Sequence, residues 1–169
     1  MMEAVHLRLI DSATDLRKEA MERAGRMLAL RPRTEREVRD RLKEASFPED
    51  VVDHTVGRLY ELQLLDDEAF ALEWISERTA KKGLGPRVLV AELQRKGVDR
   101  STAEAALARS EIKEVDTATG EAERLLHKVI RYPLRDQASK LQQMLMRRGF
   151  SWEAVEAAVK AVLPPEGWD

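Results

Sequence analysis

Hydrophobic residues recur along this chain at helical spacing. In each of three segments two aliphatic residues stand four positions apart, which places both on one face of a helix. The pairs are Val38 and Leu42, Leu89 and Leu93, and Leu141 and Leu145. No sustained run of alternating apolar and polar residues predicts a strand. The pattern therefore predicts an all-α protein.

The three segments are copies of one internal repeat. They read VRDRLKEASF, LVAELQRKGV and LQQMLMRRGF. Leu42, Leu93 and Leu145 are equivalent, and Phe47, Val98 and Phe150 follow at equivalent positions. The period of about 51 residues is typical of helical repeat units.

Each copy has a helix before this segment and another after it. The preceding helices are expected at about 16–30, 67–79 and 117–130, and each ends at a break that contains proline. Asp99 and Ser151 are suitable N-caps for the third helix of their repeats. Thr34 and Glu37 form a capping-box pattern at the start of the second helix of the first repeat.

The chain is thus expected to contain three tandem three-helix repeats. The predicted bounds are 16–65 (first repeat), 66–113 (second repeat) and 114–163 (third repeat), between a flexible N-terminal arm at 1–15 and a C-terminal tail at 164–169. Because each repeat has few large apolar residues, neighbours are expected to share a core. The prediction is an elongated, curved, solenoid-like molecule.

Composition narrows the classes of function. The chain has no cysteine, and its three histidines are far apart in sequence, so neither a metal site nor a cofactor is expected. No apolar run approaches the roughly 20 residues of a membrane span, and the N-terminus lacks a signal-peptide layout. A cytoplasmic protein is expected. No nucleophile–base set or nucleotide-binding loop is present, which argues against an enzyme.

Charge alternates with the period of the repeat. Residues 31–43, 78–100 and 128–148 hold six, seven and six cations against three, two and one anions. The segments between and after them, at 44–68, 101–123 and 149–169, are acidic. The net charge is only −2, but the field that a ligand meets depends on how charge is arranged. A solvated helix face is the alternative interpretation of any one basic segment.

Cations spaced along a path suit a phosphate backbone. The candidate contact residues are Arg31, Arg33, Arg36, Lys81, Lys82, Arg87, Arg95, Lys96, Arg131, Arg135, Arg147 and Arg148. Few aromatic residues interleave with them, so base stacking is not the expected mode of binding. Gly83 and Gly85 could either let the backbone approach a phosphate or set the angle between two helices.

Three ordered motifs resemble the RecX family of bacterial regulatory proteins. Residues 31–42 match R-x-R-[ST]-x-x-E-[VL]-x-x-[RK]-L, and residues 65–74 match L-[DN]-[DE]-x-x-[FY]-A-x-x-W. Residues 85–97 match G-x-x-x-[LI]-x-x-E-L-x-x-[RK]-G. The first repeat departs from the family at Glu44-Ala45-Ser46-Phe47, where a basic residue and glycine usually precede the aromatic residue. The resemblance covers about residues 20–163, and its specificity comes from the order of the motifs.

The resemblance implies three tandem three-helix repeats and no catalytic residues. It implies binding to RecA recombinase and, weakly and without strong sequence preference, to DNA. It further implies that the protein lodges in the groove of the RecA filament and inhibits ATP hydrolysis, strand exchange and the SOS response. A monomer is expected. The residues expected to pack in the core are Leu42, Phe47, Phe70, Trp74, Leu93, Leu145 and Phe150.

Charge and resemblance together suggest a division of labour. The basic second helices would face DNA, and the acidic third helices would meet basic RecA surface. Two other classes remain open. A helix-turn-helix-like transcription regulator would bind specific duplex sequences, usually as a dimer. A scaffold that binds only proteins would have no affinity for DNA even at low salt.

Overall fold

The structure, a computed structural model, describes residues 2–164, with side chains from residue 14 onward. Every regular element in this range is an α-helix, which confirms the all-α prediction. The helices are α1 (Met2–Leu30), α2 (Glu35–Glu44), α3 (Glu49–Glu61), α4 (Asp67–Lys82), α5 (Pro86–Lys96), α6 (Arg100–Arg109), α7 (Glu114–Val129), α8 (Leu134–Arg147) and α9 (Trp152–Val162). They group in threes, as the repeat predicts.

Local capping explains where several helices begin. The Thr34 hydroxyl accepts a hydrogen bond from the Glu37 amide at 3.2 Å, which satisfies one of the unpaired amides at the start of α2. Asp99 and Ser151 cap α6 and α9 in the same way. Asp66 accepts from the amides of Glu68 and Ala69 at the start of α4. The caps that the sequence predicts are therefore present.

The ends of the second helices share one backbone conformation. Gly97 after α5 and Gly149 after α8 have φ of 94° and 90°. Ser46 stands at the equivalent position after α2 and has φ of 65°. This left-handed region is open to glycine and costs other residues energy. The first repeat thus retains the turn of the other two although it lacks their glycine.

The first helix is longer than the sequence analysis predicts. Helix α1 begins at Met2 and not near Leu16, because no proline interrupts this stretch and its only glycine is Gly25. The backbone of residues 2–15, assigned to a flexible arm, is helical. Of the predicted C-terminal tail at 164–169, residues 165–169 lie outside the described residues.

The first and third repeats each contain a buried cluster of their own. One buried cluster runs from Ala20 to Leu65 and includes Leu42 and Leu59. The other runs from Ala118 to Leu163 and includes Leu141 and Phe150. Five alanines in the second cluster let helices approach closely, so few large side chains are enough to fill it.

Among the described residues the chain forms two compact units, and the boundary between them passes through the second repeat. The first unit holds residues 2–70 and 96–98, and the second holds residues 71–95 and 99–164. The end of α5 therefore belongs with α1–α3, whereas most of α4 and α5 belongs with α6–α9.

Each unit contains the same junction between the start of one second helix and the end of the next. In the first unit the Thr34 hydroxyl donates to the Lys96 carbonyl at 2.7 Å. In the second unit the Gly85 amide donates to the Arg148 carbonyl at 2.8 Å. Lys96 and Arg148 are equivalent in the repeat, so the internal periodicity extends to the packing between helices.

Candidate nucleic-acid interface

Three cations of the first unit converge on Glu37, a residue of the capping box. Its carboxylate lies 3.3 Å from Arg31, 3.9 Å from Arg33 and 3.1 Å from Lys96. Burial by itself would raise the pKa of Glu37, but hydrogen bonds from Lys96 and Arg31 hold it below its ordinary value. Three of the candidate phosphate-binding residues therefore share one internal carboxylate, which offsets one of their three positive charges.

The cations of α2 itself are also mostly paired. Arg39 donates to Glu35 and to Asp53, both at 2.6 Å, and the hydrogen bond that Asp53 accepts is the main reason that the pKa of Arg39 is raised. Lys43 lies 2.9 Å from Glu49. Arg36 is exposed, and its aliphatic stem packs over Gly97. The acidic α3 thus neutralises much of the basic α2.

In the second repeat, residues of two family motifs contact each other. The Trp74 indole donates to the Glu92 carboxylate at 3.0 Å. Arg78 lies 4.1 Å from the centre of the Trp74 ring and 3.2 Å from Glu92. Trp74 is half-buried, and this cluster joins α4 to α5. Both motifs therefore contribute to packing between helices.

The candidate cations of the second repeat are more exposed than those of the first. Lys81 pairs with Glu77 at 2.9 Å but retains 72% of its side-chain exposure. Lys82 and Arg95 are exposed, and the Arg95 side chain bonds the Ala91 carbonyl of its own helix. Arg87 donates to the Met146 carbonyl at 2.8 Å. Among these four residues only Lys81 has a carboxylate partner in the described part of the chain, so most of their charge remains available.

The glycines before α5 are packing residues. A Cβ added at Gly85 would lie 2.5 Å from the Phe150 amide nitrogen, and one at Gly83 would lie 2.2 Å from the Glu121 carboxylate. Both glycines are buried. Because protein atoms already occupy this space, the close approach of Gly85 serves another turn of this chain and not a phosphate.

The Arg147–Arg148 pair divides into one internal and one outward residue. Arg148 lies 2.8 Å from Glu121, whose side chain is only 4% exposed. Arg147 is exposed and has no ion pair within the described part of the chain. The equivalent pair behaves alike, since Lys96 bonds Glu37 and Arg95 points outward. In the second and third repeats the second cation of the pair stabilises the fold and the first is available to a ligand.

A basic groove lies beside α8 in the third repeat, with a cavity volume of about 320 Å³. Cations from α7, the following loop and α8 line it, namely Lys128, Arg131, Lys140 and Arg147. None of the four forms an ion pair with another residue that the structure describes. Arg135, near the start of α8, is likewise exposed and has no ion pair in this range. The strongest uncompensated positive charge therefore lies in the third repeat.

Aromatic residues accompany this charge, contrary to the sequence-based expectation. Tyr132 lies in the groove, with Lys140 at 4.2 Å and Arg131 at 5.2 Å from its ring centre. Trp152 is 56% exposed at the first position of α9, and it lines a second hollow next to Arg147. Glu49 and Arg100 occupy the equivalent positions in the other repeats. Trp152 could have been identified from the sequence because it is a tryptophan at a position where the other two repeats carry a charged residue.

The other motif residues lie in the interior. The side chains of Leu42, Phe47, Phe70, Leu93, Leu145 and Phe150 are all buried. No group of three or more histidine, aspartate or glutamate residues with the geometry of a metal site occurs among the described residues. None of the described helices is both long and apolar enough to span a membrane.

These features define an all-α protein of tandem three-helix domains. Models of the three RecX domains match the chain in order: the first three-helix domain at residues 20–59, the second at 66–107 and the third at 112–159. The chain belongs to the RecX family of regulatory proteins. The first two matches fall inside the predicted repeats, and the third begins two residues before the predicted start of the third repeat at residue 114. The exact bounds of the repeats stay predictions.

Relatives share this assignment over most of the chain. Regulatory protein RecX of Thermobifida fusca is 34% identical over 154 residues, which cover 90% of this chain and 83% of that protein. Its counterpart from Mycobacterium ulcerans is 36% identical, with 83% of each chain covered. The Bacillus velezensis protein is 32% identical over 85% of this chain, but the match spans only 55% of that longer relative.

Solved structures agree with the fold. The crystal structure of RecX from Lactobacillus salivarius superposes with a TM-score of 0.82, at 25% identity, over 88% of this chain and 97% of that one. A second crystal structure of regulatory protein RecX gives a TM-score of 0.77 at 27% identity, over 87% of this chain and 73% of that one.

Proposed function

We propose that this chain binds RecA and RecA–DNA filaments and inhibits ATP hydrolysis and strand exchange by RecA. Membership of the RecX family carries the proposal. The protein acts by binding and not by catalysis, and it does so as a monomer in the cytoplasm. Lodging in the filament groove accounts for a surface that carries both signs of charge, since such a ligand meets DNA and protein together.

The DNA-facing part of the proposal is supported by the available cations. Arg87, Arg95, Arg147 and the lysines before α5 are exposed, and they give a phosphate backbone several partners without a fixed sequence motif. Contacts of this kind predict a weak affinity for DNA that decreases as the salt concentration rises and does not depend on the DNA sequence. In this proposal the acidic segments of the second and third repeats contact basic surface on RecA.

Assembly on the filament tests the proposal. Labelled protein is titrated against RecA filaments on single-stranded DNA, against RecA alone and against the same DNA alone, and strand exchange is followed in parallel. We expect the tightest binding to the filament and a fall in strand exchange at or below the concentration of RecA. Equal affinity for filament and bare DNA, with strand exchange unchanged, would refute it.

A further inference from the structure

The surface on both sides of α8 has features that phosphate binding alone does not explain. Beside the groove of about 320 Å³ lies a second hollow of about 370 Å³, and Gln143 and Arg147 line both. Trp152 lines only the second hollow. One helix therefore has a cationic groove on one side and an exposed indole on the other, with Arg147 between them.

We propose that this surface of the third repeat binds single-stranded nucleic acid, with Trp152 stacking on a base and the groove cations holding the adjacent phosphates. An indole face attracts any base, so stacking requires no sequence preference. Bases in a duplex are already stacked on one another and cannot use it. The inference rests on the proposed function for its DNA-binding surface, and it adds a site and a strand preference.

The two aromatic residues have different roles. Lys140 and Arg131 already lie against the Tyr132 ring, so Tyr132 holds two groove cations in position. Trp152 has no cation over its ring, and its indole N–H has no hydrogen-bond partner within the described range. Trp152 is thus the aromatic ring whose face is available to a ligand.

Charge favours nucleic acid over protein as the occupant. Residues 128–148 hold six cations and one anion, and the groove cations have no carboxylate partner in the described part of the chain. An exposed tryptophan can also anchor a protein interface. An acidic protein surface would satisfy the cations but would not require a flat ring next to Arg147, so nucleic acid accounts for more of the site.

The test compares three ligands by fluorescence anisotropy: a dT oligonucleotide, an abasic strand of equal length and a duplex of equal length. Wild-type protein is expected to prefer the dT strand to both others. Trp152→Ala is expected to weaken dT binding about tenfold and to leave abasic binding unchanged, because only the dT strand offers a base. Trp152→Phe is expected to retain most of the affinity.

Charge is tested separately at Arg147. Arg147→Glu is expected to weaken binding of both the dT and abasic strands and to lower the slope of log affinity against log salt by about 0.7. Lys160→Glu makes the same change in net charge on α9 of the same repeat, where Lys160 already pairs with Glu156, and it is expected to have little effect. Circular dichroism melts verify that each variant is folded.

Equal affinity of wild-type protein for dT and abasic strands, or unchanged dT binding by Trp152→Ala, would overturn this inference. So would a loss of RecA inhibition by Trp152→Ala with dT binding intact, which would identify a protein-docking surface. The proposed function fails on a different result, since base-dependent dT binding without any effect on RecA would leave this site standing and refute RecA regulation.

Discussion

Single residues at the ends of the second helices determine how the repeats pack. Gly149 combines φ of 90° with close contact to Val88, because a Cβ there would lie 2.6 Å from the Val88 amide nitrogen. Both the backbone conformation and the lack of space therefore disfavour any other residue at this position. The conformation could be expected from the repeat. The contact with Val88 could not, because a sequence period does not specify which turns of the fold contact each other.

Replacing Gly149 by alanine is expected to lower the free energy of unfolding by about 2 kcal/mol or more, through left-handed strain and the clash with Val88. Chemical denaturation measures it. Gly120→Ala is the matched control, since Gly120 lies within α7 and a Cβ there has nothing within 4 Å. That variant is expected to gain about 0.5–1 kcal/mol in helix propensity. Similar effects at both sites would contradict this account.

Ser46 offers the opposite change. It has φ of 65° and is exposed, so its side chain contributes strain without packing. Ser46→Gly is expected to raise the free energy of unfolding by about 0.5–1 kcal/mol, the relief of strain being partly offset by the entropy of the unfolded chain. Ser46→Ala controls for loss of the hydroxyl and is expected to give no gain. If the Ser46→Gly variant is no more stable than Ser46→Ala, the backbone of Ser46 is not strained and this account is refuted.

At the scale of helices, equivalent basic segments differ in how much of their charge is available. Most cations of residues 31–43 pair with Glu37, Glu35 or α3, whereas α8 presents Arg135 and Arg147 without such partners in the described part of the chain. Sequence counts put six cations in each of these two segments. The difference lies in which carboxylates the fold brings near, and that depends on the packing of α2 against α3.

Glu37→Gln tests whether internal pairing limits DNA binding. Removing this carboxylate charge leaves Arg31, Arg33 and Lys96 uncompensated, so affinity for a short oligonucleotide at low salt is expected to rise roughly three- to tenfold, with a steeper dependence on salt. Glu156→Gln makes the same change in net charge on α9 and is the control. An equal rise in both variants would mean that only net charge matters.

At the scale of the whole chain, much of the fold could be predicted from the sequence. The positions of Leu42, Leu93 and Leu145 predict the three repeats, and the caps at Thr34, Asp99 and Ser151 predict where helices begin. Separate cores in the first and third repeats could not be predicted, because counting large apolar residues underestimates how closely alanine-rich helices pack.

The candidate site was predicted less completely. Charge counting identified Arg95 and Arg147, which face outward, but could not separate them from Lys96 and Arg148, whose partners lie far along the sequence. Trp152 was missed because the motifs do not include it. Arg147, which lines the same hollow as Trp152, is among the candidate cations, but the aromatic surface beside it emerges only when the start of α9 is placed against α8.

The rate of ATP hydrolysis by RecA on single-stranded DNA tests the central claim most directly. Purified protein is titrated into preformed filaments at saturating ATP. We predict that the rate of ATP hydrolysis falls while the concentration of added protein is still at or below that of RecA. It falls less with the charge-reversal variants of Lys81, Lys82, Arg87 and Arg95. A hydrolysis rate that stays constant up to stoichiometric protein would contradict the account.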